Sequence, residues 1–314
     1  MIRVLLLSPP GWAPVRYYRG EGAMLQLWRI DPSIEVVTPR YDEIWKDLIA
    51  CDIVYCFRTF DDRCLSVAQK AKDLGKKIWF DLDDAVWALE PSHPSYAGYG
   101  PKTLQIIEWF VQNSDKITVS TKEIKKRMMS DCEVIPNALD FYTLKYEPIN
   151  SRIENQLHWR GGASHAEDLY EFREEMGKHI TVYHGFNPPW HKRKHFPYVF
   201  DYFQYIQDLF ASCVVVPLID NVFNRCKSNI AALEAIYAGA IPIVPAWEEW
   251  EFPERYAYST KEEFSARIEE VLALSFEEYR AKVETYRKWV KENRSLEIMN
   301  KRRVEIVGEL CQPT

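Results

Sequence analysis

A polar loop in the second half of the chain is the strongest candidate for a binding site. A predicted strand ends at Pro217, and a predicted helix begins at Ser228; the loop between them carries Asn224, Arg225 and Lys227. Backbone N–H groups at the start of a helix attract anions, and a lysine beside them adds mobile positive charge. The loop therefore suits a phosphate group. On spacing alone, a capped surface helix with solvated charges is an equally good interpretation.

A second candidate follows an apolar stretch in the first half that predicts a strand. Asp81, Asp83 and Asp84 come at the end of that stretch, which places them at the carboxyl end of the strand. Carboxylates there can position or deprotonate a hydroxyl group, and their oxygens also suit Mg²⁺. A solvated loop that caps the next helix is the alternative.

Aromatic and basic side chains concentrate in two other places. The loop after the first predicted strand carries Trp12, Arg16, Tyr17 and Arg19, which either shape an acceptor site or form an ordinary surface. Residues Trp190–His195 form a dense basic and aromatic cluster. Such clusters are typical of a solvated face, but they can also track a phosphate backbone.

Several enzyme classes are poorly supported because their motifs are missing. The sequence has no Gly-x-Gly-x-x-Gly after the first predicted strand and no Gly-x4-Gly-Lys-Ser/Thr, which argues against a nicotinamide dehydrogenase and a P-loop NTPase. It has no Gly-x-Ser-x-Gly and no His-Glu-x-x-His, so serine hydrolase and zincin interpretations lapse. The 7 cysteines are scattered without a Cys-x-x-Cys pair, which favours a reducing compartment and no structural zinc site.

Composition and charge describe an ordinary globular protein. The chain is 47% hydrophobic and 27% charged, and its net charge is −6. Neither half is basic, so DNA would have to bind at a local patch. No apolar stretch reaches the ~18 residues of a membrane span. We expect a cytoplasmic protein without stable membrane association; the sequence gives no signal for its oligomeric state.

The elements that must position these side chains alternate between short apolar strands and longer amphipathic helices. This pattern predicts parallel sheets, and the fold class is two tandem Rossmann-like doubly wound α/β domains. A linker-like stretch sets the boundary at residue 150, giving domains of residues 1–150 and 151–314 with the C-terminal helices in the second. Ligands of such sheets bind at the carboxyl ends of the strands, which predicts a site in the interdomain cleft.

Four ordered motifs resemble family-4-like retaining glycosyltransferases of the GT-B fold, in particular a phage and bacterial subgroup. The loop and helix discussed first resemble the donor-binding stretch of that family. The residues that match its pattern are Phe223, Asn224, Lys227, Ser228, Asn229, Glu234, Ala235, Gly239 and Pro242. The other three matching stretches are Trp159–Leu169, Ile135–Asn137 and Phe80–Asp84.

The resemblance implies that a sugar is transferred from a nucleotide sugar, a UDP-sugar being the expected donor, to a hydroxyl acceptor. It implies an acceptor-side first domain, a donor-binding second domain and retention of anomeric configuration. Lys227, with Arg160 or Arg225, would stabilise the leaving diphosphate without a metal, so no tightly bound cofactor is expected and Mg²⁺ is compatible but not required. The implied catalytic residues are Lys227, Asp83, Asp84 and Arg225. The implied donor-binding residues are Arg160, Gly161, Gly162, His165, Asn224, Ser228, Asn229 and Glu234, with Glu234 on the ribose.

The sequence departs from the wider family at one position. Cys226 stands where the first glutamate of a Glu-x7-Glu pattern is expected, and that glutamate approaches the transferred sugar. A binding module that kept the fold but lost catalysis is therefore the competing hypothesis. The expected acceptor is a 5-hydroxymethylated pyrimidine in phage DNA, reached through the basic cluster in the host cytoplasm. A cell-envelope glycan or a protein is the alternative acceptor.

Overall fold

The structure of the 314-residue chain is a computed structural model. It describes residues 1–8, 14–39, 43–128, 130–153, 155–190, 195–196, 206, 209–210 and 212–312. The chain divides into two compact units. Unit 1 comprises Met1–Leu89, Tyr96–Asp140 and Leu296–Thr314, and unit 2 comprises Glu90–Ser95 and Phe141–Ser295.

Unit 1 is built on a parallel sheet of six strands with helices connecting them. The strands are β1 (Ile2–Leu7), β2 (Ile34–Val37), β3 (Ile53–Phe57), β4 (Lys77–Leu82), β5 (Lys116–Val119) and β6 (Glu133–Val134), in the order β2-β1-β3-β4-β5-β6. The helices are α1 (Pro14–Tyr18), α2 (Glu21–Met24), α3 (Ile44–Ala50), α4 (Asp62–Asp73), α5 (Pro101–Asn113) and α6 (Lys122–Arg127). All pairings between neighbouring strands are parallel, so the carboxyl ends of the strands share one edge.

Helix α4 shows how local sequence forms these elements. Asp61 caps its start by accepting a hydrogen bond from the backbone N of Cys64 at 2.8 Å. Its buried residues, Cys64, Val67, Ala68 and Ala71, repeat at a spacing of three and four, which is the period of one helix face. Gly75, with φ of +69°, follows the helix and allows the chain to turn into β4.

Unit 2 contains a second parallel sheet. Its strands are β7 (Gln156–Gly161), β8 (Ile180–Gly185), β9 (His195–Phe196), β10 (Cys213–Val215), β11 (Ile241–Pro245) and β12 (Tyr256–Tyr258), in the order β12-β11-β10-β7-β8-β9. Its helices are α7 (Ala166–Glu171), α8 (Arg173–Gly177), α9 (Val222–Arg225), α10 (Ile230–Ala238), α11 (Lys261–Leu272) and α12 (Phe276–Asn293). The strand order reverses between β7 and β10, which makes their carboxyl ends the topological switch point of this sheet.

The elements at the candidate loop differ from the sequence prediction in one respect. The helix expected to begin at Ser228 begins at Ile230, with Asn229 as its N-cap. A short helix, α9, occupies part of the loop before it, because Asn221 caps that helix through the backbone N of Asn224 at 2.8 Å. Lys227 and Ser228 therefore lie between two helices rather than inside one.

The last helix, α13 (Leu296–Cys311), belongs to unit 1. Ile306, Val307 and Leu310 join the hydrophobic core beneath β1, β3 and β4. This division differs from the predicted boundary at residue 150, which assigned the C-terminal helices to the second domain, and unit 2 resumes at Phe141. Helix α13 belongs to unit 1 because its apolar face is buried against this sheet and so removed from water. Across the described ranges, no helix is long and apolar enough to cross a membrane.

Candidate functional site

The candidate site of unit 2 lies at the switch point of its sheet. Strand β7 ends at Gly161 and leads through a turn at Ala163–His165 into α7. Neighbouring strand β10 leads into the loop that precedes α10. Both loops leave the carboxyl edge of adjacent parallel strands, so they meet there, as ligand-binding loops of open α/β sheets do.

Asp168 holds these two loops together. Its Oδ2 lies 2.9 Å from Nδ1 of His165, and its Oδ1 accepts hydrogen bonds from the backbone N of Ile219 at 2.9 Å and from Nδ2 of Asn224 at 2.8 Å. Nδ2 of Asn224 also donates to the carbonyl of Ile219 at 3.0 Å. Asn224, predicted to bind the donor, thus directs its amide to the protein. Its contacts position the loop.

Arg160, at the end of β7, forms an ion pair with Glu234 of α10. Glu234 is fully buried, and the Arg160 side chain is 14% exposed. Burial raises the pKa of the Glu234 carboxyl, whereas a guanidinium in contact favours the charged form. In this structure Glu234 therefore orients Arg160, while the resemblance implied that it holds a ribose.

Asn229 has the most unusual environment of the predicted residues. It is fully buried at the N-cap of α10, and its side chain makes no capping hydrogen bond. Neither its Nδ2 nor its Oδ1 has a hydrogen-bond partner in the described part of the chain. A buried polar group left unpaired costs about 1–3 kcal/mol, so this amide is poised for a ligand that can both donate and accept.

Positive charge gathers around His165. Burial lowers the pKa of His165, nearby Lys227 and Arg160 lower it further, and Asp168 opposes the change. The imidazole is consequently neutral at pH 7. The Lys227 ammonium lies 4.4 Å from the centre of the Phe223 ring, a cation–π contact that holds its stem in place.

The other predicted donor-side residues have different surroundings. Arg225 pairs with Asp220, Nη2 to Oδ2 being 2.7 Å, and its guanidinium lies 5.5 Å from the centre of the Trp247 ring. A Cβ at Gly161 would come within 2.6 Å of the Trp159 ring, and packing therefore requires a glycine. Gly162 precedes the turn at Ala163–His165, and Ser228 is half-buried before Asn229.

In unit 1, Asp81 and Arg19 form a fully buried ion pair. Nε of Arg19 donates to Oδ1 of Asp81 at 2.8 Å and Nη2 donates to Oδ2 at 2.5 Å. The Thr118 hydroxyl also donates to Asp81. The sequence predicted both residues near an acceptor. The structure corrects that prediction, because both carboxylate oxygens of Asp81 are bound by Arg19 inside the unit.

Asp83 and Asp84 share a partner that the sequence analysis missed. Arg58 lies 3.5 Å from Oδ2 of Asp83 and 3.3 Å from Oδ2 of Asp84, and it donates to the Tyr99 hydroxyl at 2.9 Å. Burial raises the pKa of Asp83 to about 6 despite Arg58. Oδ1 of Asp83 has no hydrogen-bond partner among the described residues.

The position of Arg58 carries a signal that was available in the sequence. It directly follows β3, as the two carboxylates follow the adjacent parallel strand β4. Its φ of +50° is uncommon for a side chain of this size and is often found at functional sites. The two strand ends therefore bring the three charges together.

The other residues predicted to line the acceptor site have different surroundings. Arg16 binds Glu21, with Nε to Oε2 at 3.0 Å, and both line a cavity of about 340 Å³ beside the ends of β1 and β2. The Tyr17 hydroxyl lies 3.4 Å from Oδ2 of Asp140. Trp12 lies outside the described residues. So do residues 191–194 of the basic cluster.

Among the residues that the structure describes, no three His, Cys, Asp or Glu side chains come together to hold a metal ion. Asp83 and Asp84 both face the Arg58 guanidinium, and this pairing supplies the positive charge that their carboxylates require. Mg²⁺ usually binds through one or two carboxylates together with waters and phosphates, so the expectation that Mg²⁺ is compatible but not required stays a prediction.

The chain is similar to several solved structures, although no protein-family model and no curated protein matches it. HepE of Anabaena, solved in complex with UDP-glucose, has a TM-score of 0.67 at 12% identity, over 98% of this chain and 100% of its own. Starch synthase IV of Arabidopsis thaliana, bound to ADP and acarbose, has a TM-score of 0.57 at 12% identity, covering 95% of this chain and 80% of its own. The trehalose-6-phosphate synthase OtsA has a TM-score of 0.53 at 12% identity, over 96% and 84%. The predicted GT-B fold class is confirmed by these likenesses.

Proposed function

We propose that this protein is a retaining glycosyltransferase that takes a sugar from a nucleotide sugar, a UDP-sugar, and transfers it to a hydroxyl group. Unit 2 would bind the donor at the switch point of its sheet, and unit 1 would bind the acceptor. The fold, the UDP-glucose and ADP in structures of similar fold, and the motif resemblance support this proposal.

The observation that carries the proposal is the fully buried amide of Asn229 at the start of α10, which has no hydrogen-bond partner among the residues that the structure describes. A helix N-terminus with a neighbouring lysine and arginine favours a diphosphate. Lys227 lies two residues before Asn229, the N-cap of this helix, and Arg160 is held against the helix by Glu234. A diphosphate bound there would meet both cations and give the Asn229 amide a partner.

The chemistry requires stabilisation of a leaving group. Negative charge develops on the diphosphate as the glycosidic bond breaks, and fixed positive groups lower the barrier when they face that charge. Lys227 and Arg160 are proposed for this role. In unit 1, Asp83 is proposed to accept a hydrogen bond from the acceptor hydroxyl, with Arg58 holding its carboxylate in place. Asp84, on the same guanidinium, is proposed to support it.

The first test compares two cations of the donor loop. Release of UDP from a panel of UDP-sugars is measured for the wild-type protein, Lys227→Ala and Arg225→Ala. Loss of one charge that faces the leaving group lowers turnover by about 10²- to 10³-fold, which is expected for Lys227→Ala. Arg225→Ala should retain activity within about threefold, because Arg225 is exposed and bound to Asp220.

Other outcomes decide between the hypotheses. Equal losses in both variants would return Arg225 to the catalytic role that the sequence predicts. Binding of UDP without turnover of any nucleotide sugar would favour a binding module and contradict an enzyme. Failure to bind any nucleoside diphosphate would remove the donor site itself.

The acceptor is tested separately. The resemblance supports a 5-hydroxymethylated pyrimidine in DNA, so oligonucleotides with and without that base are incubated with each UDP-sugar and analysed by mass spectrometry. A mass gain of one sugar on the hydroxymethylated strand alone is expected. A gain only on cell-envelope glycan or protein would replace the DNA acceptor by the alternative.

A further inference from the structure

The imidazole of His165 is held by Asp168 through its Nδ1 atom. Nδ1 lies 2.9 Å from Oδ2 of Asp168. An ionised carboxylate only accepts hydrogen bonds, so the hydrogen of the neutral ring lies on Nδ1. Within the described ranges Nε2 has no hydrogen-bond partner, and the side chain is 21% exposed. Nε2 therefore carries a lone pair at the surface of the candidate donor site.

The Asp168 carboxylate cannot easily rotate away. Its second oxygen accepts from the backbone of Ile219 and from the Asn224 amide, and the residue is 4% exposed. Both oxygens are thus fixed by partners on two different loops. This anchoring sets the orientation of the His165 ring and the nitrogen that carries its hydrogen.

Charges from three elements face His165. Asp168 comes from α7, Arg160 from β7, and Lys227 from the segment before α10. The two cations and burial keep the ring neutral in the free protein. A nucleoside diphosphate would reverse this balance, because its phosphates bring negative charge next to the same cations.

We propose that His165 takes up one proton on Nε2 when a nucleoside diphosphate binds, and that Asp168 is the positioning residue that makes this possible. This inference rests on the proposed donor site. The proton comes from solvent, no covalent bond of the ligand breaks, and the resulting imidazolium donates from Nε2 to a phosphate oxygen while Nδ1 still donates to Asp168. The leaving diphosphate then receives a charge-assisted hydrogen bond, which is shorter and stronger than a neutral one.

Isothermal titration calorimetry of the full chain with UDP tests the inference. Binding at pH 7.5 is measured in buffers of different ionisation enthalpy, and the slope of binding enthalpy against buffer enthalpy counts the protons exchanged. We expect uptake of close to one proton, with affinity that weakens as the pH rises. A terminal phosphate has its second pKa near 6, so UDP itself contributes little at this pH.

Substitutions test whether the proton is taken up by His165 and whether Asp168 positions its ring. His165→Gln should bind UDP about tenfold more weakly and with no buffer dependence. His179→Gln removes a histidine of the same unit outside the site and should keep the wild-type slope. Asp168→Asn can still accept from the Ile219 backbone and Asn224, but it presents an N–H to Nδ1, which forces the hydrogen of His165 onto Nε2. Proton uptake should then fall towards zero while the protein stays folded.

The outcomes separate the two proposals. Binding of UDP without proton uptake in the wild-type protein, or with equal uptake in His165→Gln, overturns the inference and leaves the donor site intact. Unchanged uptake in a folded Asp168→Asn variant overturns the positioning role. The ¹⁵N shifts of the His165 ring report its tautomer in each variant and show whether the substitution acted as intended. Absence of UDP binding in the wild type would contradict the proposed function, and the inference with it.

Discussion

Two carboxylates that lie two residues apart at the end of β4 have different chemistry. Asp81 receives hydrogen bonds from Arg19 and Thr118 and is fully buried. Asp83 is also buried, but its contact with Arg58 is longer, and one of its oxygens has no hydrogen-bond partner in the described part of the chain. Burial therefore dominates at Asp83 and raises its pKa to about 6. The Asp81 carboxylate is satisfied by the protein, whereas the Asp83 carboxylate is available for a substrate.

The pKa of Asp83 predicts opposite pH trends for activity and stability. Acceptor turnover should rise between pH 5 and 7 as the carboxylate ionises, with an apparent pKa near 6. Because the pKa of Asp83 is higher in the folded than in the unfolded protein, the protonated carboxyl favours folding. This contribution to the free energy of unfolding is present below about pH 4 and is lost as the pH rises through 6. Asp83→Asn should match the wild type at pH 4 and be more stable at pH 7, by at most about 3 kcal/mol. Urea unfolding across this range measures the difference, and a constant difference at all pH values would refute the assignment.

Substitution of Asn229 should weaken ligand binding without lowering the stability of the free protein, as expected for a ligand-binding group. Asn229→Ala removes an unpaired buried amide that caps nothing, so the free energy of unfolding should stay within about 1 kcal/mol or increase. UDP affinity should fall about tenfold, as loss of one ligand hydrogen bond does. Thermal unfolding with and without UDP measures both effects. A large loss of stability in the free protein would show that the amide is structural.

At the scale of elements, α10 is a helix whose two ends have different environments. Residues Ala232–Ala238 are all buried, so the helix is apolar on nearly every side. At its C-terminus the Arg287 guanidinium donates to the carbonyls of Ile236 at 3.2 Å and Tyr237 at 2.8 Å. A positive group there complements the negative end of the helix. The N-terminus keeps its positive potential for the proposed diphosphate.

Two helix-terminating glycines allow a controlled test of this packing. Gly239 and Gly75 both have positive φ, +87° and +69°. A Cβ at Gly239 would come within 2.6 Å of Cδ1 of Ile149, whereas a Cβ at Gly75 would meet no atom of the described residues within 4 Å beyond its chain neighbours. Gly75→Ala should cost about 1–2 kcal/mol, the penalty for the left-handed conformation. Gly239→Ala should cost clearly more because a side chain must also move. Equal losses of unfolding free energy in the two variants, measured by urea unfolding, would show that the Ile149 side chain moves aside at little cost.

At the scale of the whole molecule, each unit is a doubly wound sheet with its own strand order and its own core. The chain crosses between the two units more than once. Glu90–Ser95 belongs to unit 2, and the C-terminal segment from Leu296 returns to unit 1. The stability of unit 1 consequently depends on residues at both ends of the sequence.

Removal of residues 296–314 should unfold unit 1 selectively. The segment buries Leu296, Ile306, Val307 and Leu310, and each apolar side chain of this kind contributes about 1.5–3 kcal/mol. The sum is comparable with the whole stability of a domain. Hydrogen exchange should show lost protection in β1–β6, while unit 2 stays protected and binds UDP. Lys301→Ala, which breaks one exposed ion pair with Glu297 in the same helix, is the control and should change stability by less than about 1 kcal/mol.

The sequence by itself determined the repeated alternation of strand and helix and the polar loops at strand ends. Short apolar runs, among them Val4–Leu7, Ile53–Phe57 and Ile180–Tyr183, predict ten of the twelve strands in the described ranges to within a few residues, because burial on both faces leaves a continuous apolar signature. The strands that were missed, β9 and β12, are two and three residues long. Such short strands carry too few residues for any periodicity.

Only the tertiary structure decided which polar side chains are satisfied by the protein and which remain for a ligand. Arg160 meets Glu234, and Arg58 meets Asp83, across strands and helices that are distant in the sequence. No local pattern distinguishes Asn224, whose amide is bound, from Asn229, whose amide is not. Hydrogen-bond partners depend on distances and angles between packed elements, and these exist only once the sheets have formed.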